Sequence, residues 1–117
     1  MPTGKAQSTA TNGQSASQTS VGAAENSPEV PRLMTRAREL LRQGDIAAAR
    51  NVLEHAAETK DAAALYALAE TFDPAVLRSW NVLGTRGDAA RARDLYAKAL
   101  AGGVHEASER LSELSKP

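Results

Sequence analysis

From Leu33 onward, apolar side chains recur every third and fourth residue. This is the spacing of one face of an α-helix. The first such stretch ends at Gly44, and Asp45 follows directly. Glycine adopts the left-handed conformation that closes a helix at little cost, and an aspartate can cap the first turn of the next helix. The pattern therefore predicts a first helix ending at Gln43-Gly44 and a second helix starting after Asp45.

The same kinds of signal predict four further helices. They are a helix capped by Asp61, a helix opened by Asp73-Pro74 that runs through Trp80, the helix Ala89–Ala101 after Gly87-Asp88, and the helix Val104–Leu114 after Gly102-Gly103. No segment alternates polar and apolar residues with the period of two that is typical of a strand. The predicted fold class is therefore all-α.

The N-terminal part of the chain has a different composition. Residues 1–32 contain no Leu, Ile, Phe, Tyr or Trp and are rich in Ser, Thr, Gly, Ala and Gln. Such a segment buries too little apolar surface to offset the roughly 1–2 kcal/mol per residue that backbone ordering costs. We expect residues 1–30 to form a disordered tail or linker and residues 31–117 to form one helical domain.

Alanine supplies 24 of the hydrophobic residues, whereas Leu, Ile, Val and Phe together number only 20. Small side chains allow two helix backbones to approach closely. We interpret the alanine stripes of the predicted helices as packing surfaces between helices.

The chain also resembles itself at a spacing of 43 residues. The Gly44-Asp45 and Gly87-Asp88 pairs are separated by this distance, and residues 31–74 share twelve identities with residues 74–117. A period of this length with paired helices is typical of an α-solenoid. The repeat predicts about two helical units.

These residues resemble a known family. The segments Ala64-x-x-x-Leu68-Ala69, Gly87-Asp88, Leu95-Tyr96-Ala-Lys98-Ala99 and Ala107-x-x-x-Leu111 are similar to the Sel1-like branch of the tetratricopeptide repeats. Residues 71–85 form an insert, and the segment at its end, from Trp80 to Asp88, is also similar to inserts in Sel1-like segments of α-proteobacterial proteins. The resemblance covers residues 34–115 and implies a short α-α superhelix that binds other proteins, with no catalytic residues. The insert is longer than the family's usual connection, and two units are fewer than the three or more that solenoids normally stack.

The sequence offers little that would support catalysis or cofactor binding. There is no cysteine, which excludes disulfides and thiolate metal sites. The segment His105-Glu106-x-x-Glu109 lacks the second histidine of a zinc-protease motif. We therefore expect no enzymatic activity, no cofactor and no metal.

Arginines and aromatic residues are the remaining candidates for binding. Arginines cluster in residues 32–42 and 78–93, while acidic residues predominate between them. If the two clusters are neighbours in space, they form a patch for an acidic peptide or a phosphate backbone; otherwise they pair with the acidic stretch or are solvated. Trp80 and Tyr66 either fill the core or anchor a partner in a groove. The partner-binding candidates are Arg36, Tyr66, Arg78 and Trp80.

The expected function is non-catalytic protein–protein interaction, as an adaptor or scaffold that binds a partner peptide or helix. The alternatives are nucleic-acid or regulatory binding through the arginine patch and a self-associating structural spacer, with a homodimer as one form. Net charge is zero, which makes general attraction to nucleic acid unexpected. No apolar run is long enough for membrane insertion. The lack of a targeting signal favours the cytoplasm, and a domain of a larger envelope-associated protein is the alternative.

Overall fold

The computed structural model describes residues 29–116, most of which lie in six helices. They are α1 Glu29–Arg42, α2 Ile46–Ala57, α3 Ala62–Phe72, α4 Pro74–Ser79, α5 Ala89–Ala101 and α6 Ala107–Leu114. No residue of this range belongs to a strand, so the predicted all-α fold is confirmed for it. The predicted tail falls outside the described residues except for Glu29 and Val30, which begin α1.

The predicted aspartate caps are all present. Each carboxylate accepts a hydrogen bond from a backbone N–H in the first turn of its helix. The pairs are Asp45 with Ala48, Asp61 with Ala64, Asp73 with Ala75 and Asp88 with Arg91, at 3.1, 3.0, 2.9 and 3.1 Å. Gly44 ends α1 with a φ of +81°, as its position in the sequence predicted.

Two predicted boundaries differ from the structure. The helix opened by Pro74 ends at Ser79, so Trp80 is its C-cap and not a helical residue. The last helix begins at Ala107 and not at Val104. The Val104 amide donates to Ala99 O at 3.0 Å and completes the end of α5, and the amides of Ala107 and Ser108 then donate to Val104 O and His105 O in a turn. No aspartate caps this last helix, because its N-cap is Glu106, whose side chain makes no capping hydrogen bond.

Gly87 does not end a helix either, because the loop from Trp80 to Asp88 separates it from α4. Its role is to allow the backbone of this loop to approach the end of α3 closely. A Cβ placed at Gly87 would lie 3.1 Å from Phe72 O and 3.0 Å from Pro74 Cγ. The Asp88 amide next to it donates to Phe72 O at 2.7 Å. The glycine therefore allows this loop to lie against the end of α3.

The five longer helices pack one on the next along the chain: α1 on α2, α2 on α3, α3 on α5, and α5 on α6, while the short α4 packs on α3. Alanines with 0 or 1% exposure are found in each of these helices except α4. They are Ala37, Ala49, Ala56, Ala64, Ala69, Ala92, Ala99 and Ala107. The predicted role of the alanine stripes as packing surfaces is thus confirmed.

Candidate functional site

A shallow groove lies between the end of α1 and the turn that follows α4. Its main part has a volume of about 490 Å³ and is lined by Arg38, Leu41, Arg42 and Trp80. It continues along Gln43, Gly44 and residues 81–83. We call this surface the Trp80 groove. Its volume falls in the range of about 300–1,000 Å³ that is common for ligand-binding clefts.

The groove exposes apolar surface. Trp80 is 38% exposed and Leu83 is 92% exposed, and they are the large hydrophobic residues left exposed in the part of the chain that the structure describes. Leu41 is half-buried. Large exposed apolar side chains that lie together are typical of an interaction site.

The turn after α4 is held by a Schellman motif. The amide of Asn81 donates to Arg78 O at 3.0 Å, and the amide of Val82 donates to Leu77 O at 3.2 Å. Asn81 takes a φ of +56°, a conformation that asparagine tolerates better than most residues. These bonds fix the backbone on both sides of Trp80 and as far as Val82, the residue before Leu83.

The rim of the groove on α1 is cationic. Arg42 forms an ion pair with Glu39, which also accepts a hydrogen bond from Gln43 at 3.1 Å. Arg38 lies one helical turn before Arg42, is exposed, and has no ion pair among residues 29–116. The groove therefore presents at least one guanidinium whose charge is not matched within the described residues.

A second cluster lies where α3, α5 and α6 meet. The hydroxyl of Tyr96 donates to Asp73 Oδ2 at 2.8 Å, and Arg110 binds Glu70 at 3.0 Å. The ring of Tyr66 lies 5.4 Å from that of Tyr96 and 5.6 Å from the Arg110 guanidinium. Every member of this cluster has a partner within it, so its contacts serve to join the helices.

Burial shifts the pKa values of three residues in this cluster. It raises the pKa of Glu70, and the neighbouring Arg110 opposes that shift. Burial and the hydrogen bond to Asp73 raise the pKa of Tyr96 far above its usual value. Burial also raises the pKa of Tyr66. A tyrosine with a raised pKa keeps its proton near neutral pH, so Tyr96 remains the neutral hydroxyl that donates to Asp73.

Arg50 makes a third polar arrangement at the end of α3. Its guanidinium lies 4.0 Å from the centre of the Phe72 ring and donates to the carbonyls of Thr71 and Arg86, the latter at 2.9 Å. Burial lowers the pKa of Arg50. These contacts join α2 to the loop before α5 and leave the guanidinium little capacity for a ligand.

A further shallow groove, of about 380 Å³, lies between α2, α3 and α5. Its charged residues have both signs. Arg91 faces Glu54 at 3.8 Å, and Lys98 pairs with Asp94 at 3.2 Å. Because these charges compensate one another, the surface has less capacity to select a charged partner than the Trp80 groove.

The predicted site residues do not form one site. Trp80 lines the groove, whereas Tyr66 belongs to the cluster around Arg110. Arg36 and Arg78 are exposed but line none of the grooves described above. Sequence reasoning missed Arg38, Leu41 and Leu83. Arg38 and Arg42 did belong to the predicted arginine cluster, and their spacing of four residues places them on one side of α1.

Arginines of the two predicted clusters are used in different ways. Arg91 pairs with Glu54 of the acidic stretch, as expected if the charges compensate one another, whereas Arg42 pairs with Glu39 of its own helix. Arg38 adjoins Trp80, a residue of the second segment. Within residues 29–116, no three His, Asp or Glu side chains lie close enough together to hold a metal ion.

The comparisons with known proteins add no relative. No family model matches the chain, and neither a curated protein nor a solved structure is significantly similar to it. None of the helices in residues 29–116 has the length and apolarity needed to cross a bilayer.

Proposed function

We propose that this chain is a non-catalytic protein-binding module with a tetratricopeptide- or Sel1-like stack of helices, and that its Trp80 groove receives a segment of a partner protein. The observation that carries the proposal is the exposure of Trp80 and Leu83, at 38% and 92%, beside the end of α1. Tryptophan is among the residues most often found at the energetic centre of an interface.

The order of helix packing supports the repeat architecture. Successive longer helices contact one another, as in a solenoid built from helical hairpins. The short helix α4 and its turn interrupt this series at residues 74–88. Insertions in repeat proteins map to loops, often on the binding face, and this segment forms one side of the Trp80 groove.

Selection of peptides tests the proposal without knowledge of the natural partner. A displayed library of random peptides is selected on the full chain and counter-selected on a variant carrying Trp80→Ala and Leu83→Ser. We expect peptides that bind the full chain and lose most of their affinity for the variant. An exposed alanine on α5 offers a matched control, because Ala97→Ser should leave binding unchanged.

Two results would contradict the proposal. One is the absence of any enriched peptide that depends on the groove, with circular dichroism showing that the variant is folded. The other is a homodimer, measured by light scattering, that dissociates when Trp80 is replaced. In that case the groove would be filled by a second copy of the chain and the spacer alternative would be correct.

A further inference from the structure

We infer that the occupant of the Trp80 groove is an acidic peptide segment with an apolar anchor, in which the carboxylates meet Arg38 and Arg42 and the anchor packs between Leu41 and Trp80. This inference rests on the proposed function and names the chemistry of the partner.

The charge of α1 supports an acidic occupant. The helix carries Arg32, Arg36, Arg38 and Arg42 against Glu29 and Glu39. Glu39 pairs with Arg42, whereas no carboxylate of the described residues pairs with Arg38. A guanidinium binds a carboxylate through two parallel hydrogen bonds. A carboxylate on the partner would form the ion pair with Arg38 that no carboxylate of the described residues forms.

The apolar part of the groove favours a partner that inserts an apolar side chain as its anchor. Leu41 and Trp80 line the main part of the groove between the two chain segments that bound it, and Leu83 extends the apolar surface outward. An apolar side chain of the partner would cover surface that is now in contact with water. Binding energy at such sites comes mainly from a few anchors of this kind, while the charges at the rim contribute selectivity.

The same residues argue against a nucleic acid as the occupant. Single strands are usually held by several aromatic side chains on which successive bases stack. The Trp80 groove has one aromatic residue, and its other apolar residues are leucines and Val82.

Titration of tryptophan fluorescence with defined probes tests the inference. Trp80 is the single tryptophan of the chain and lies in the groove, so its emission reports occupancy directly. The probes are a short peptide of Glu residues with one Leu and one Phe, the same peptide with Lys for Glu, the same peptide with Ser for Leu and Phe, and an oligo-dT strand. We expect binding of the first peptide only, and weaker binding as salt is raised.

Two charge-reversal variants complete the experiment. We expect Arg38→Glu to weaken binding of the acidic apolar peptide roughly tenfold, because it removes one attractive contact and adds a repulsive one. Arg93→Glu changes the net charge by the same amount at an exposed site on α5 that lines none of the grooves described. It should reduce the affinity less than twofold.

Several outcomes would overturn the inference. They are equal binding of the Lys and Glu peptides, equal effects of Arg38→Glu and Arg93→Glu, binding of oligo-dT in place of the acidic peptide, or no binding of any probe. The library selection separates these from failure of the proposed function. If the selected peptides depend on Trp80 but are not acidic, the groove binds proteins and only the inferred chemistry is wrong.

Discussion

The hydroxyl of Tyr96 donates a hydrogen bond of 2.8 Å to the carboxylate of Asp73, and both residues are buried, with exposures of 0 and 3%. Through this bond α5 contacts the residue at which α3 ends and α4 begins. Asp73 also caps α4 through its other oxygen, at 2.9 Å from the Ala75 amide. The position of α4, and with it that of the turn at Trp80, is therefore tied to the core through one carboxylate.

Replacement of Tyr96 by Phe should destabilise the fold. It removes the donor from a buried carboxylate, and hydrogen bonds to charged groups contribute about 1.5–3 kcal/mol. We expect the free energy of unfolding, measured by urea denaturation, to fall by that amount. Tyr66→Phe is the matched control, since the described residues offer its hydroxyl no hydrogen bond, and it should change the value by less than about 0.5 kcal/mol. Equal effects of the two substitutions would show that the hydrogen bond from Tyr96 to Asp73 does not stabilise the fold.

Stability should fall at alkaline pH. The pKa of Tyr96 is raised in the folded protein by burial and by the Asp73 carboxylate. Above a pH of about 10 the unfolded chain loses the tyrosine proton while the folded chain keeps it, so each such tyrosine lowers the free energy of unfolding by about 1.4 kcal/mol per pH unit. Below that pH the proton is bound in both states and the effect is absent.

Urea denaturation at a series of pH values checks this slope. Tyr96→Phe should reduce it, and the remainder should come from Tyr66, whose pKa is also raised by burial. An unchanged slope in the Tyr96→Phe variant would show that Tyr96 ionises normally in the folded chain.

Gly102 should not tolerate a side chain. A Cβ at this position would lie 2.7 Å from Ala62 Cβ, where the end of α5 meets the start of α3. Because the obstructing atom is attached directly to backbone, the helices must move apart, and overpacking of this kind costs about 1–3 kcal/mol. The cost of Gly102→Ala, measured by urea denaturation, should be smaller in an Ala62→Gly background. A cost independent of residue 62 would show that the helices do not approach this closely.

Lys60→Gly should stabilise the fold, in contrast to Gly102→Ala. It has a φ of +63° in the turn after α2, and a non-glycine residue in that conformation costs about 1–2 kcal/mol. We expect Lys60→Gly to raise the free energy of unfolding by up to about 1 kcal/mol, because the greater freedom of glycine in the unfolded chain offsets part of the gain. Asn81→Gly should gain less, since asparagine tolerates this conformation better. A loss of stability in Lys60→Gly would contradict the left-handed assignment.

The sequence predicted the helices well because their limits depend on local chemistry. Aspartate caps and the glycine at position 44 act within one turn of the residue that carries them. Where the prediction failed, at the start of α6, the N-cap is Glu106, whose side chain makes no capping hydrogen bond. Without a capping signal, the spacing of apolar residues alone does not mark the residue at which the helix begins.

The groove was predicted less well because it depends on contacts between distant segments. Leu41 shares the apolar spacing of Leu40, which is buried, yet Leu41 is half-buried and lines the groove. Arg36 was selected from the arginine cluster, but it lies about 200° around the helix from Arg38. Which side of α1 faces Trp80 depends on how α1 packs on α2 and on where the turn after α4 lies, and no periodicity encodes it.

Chemical-shift mapping by NMR tests the central claim most directly. The full chain, labelled with ¹⁵N, is titrated with the strongest peptide from the library selection. We predict that the largest amide shifts cluster at Arg38, Leu41, Arg42 and residues 80–83, and that Trp80→Ala abolishes them. Shifts centred instead on the groove between α2, α3 and α5, around Glu54 and Arg91, would contradict it.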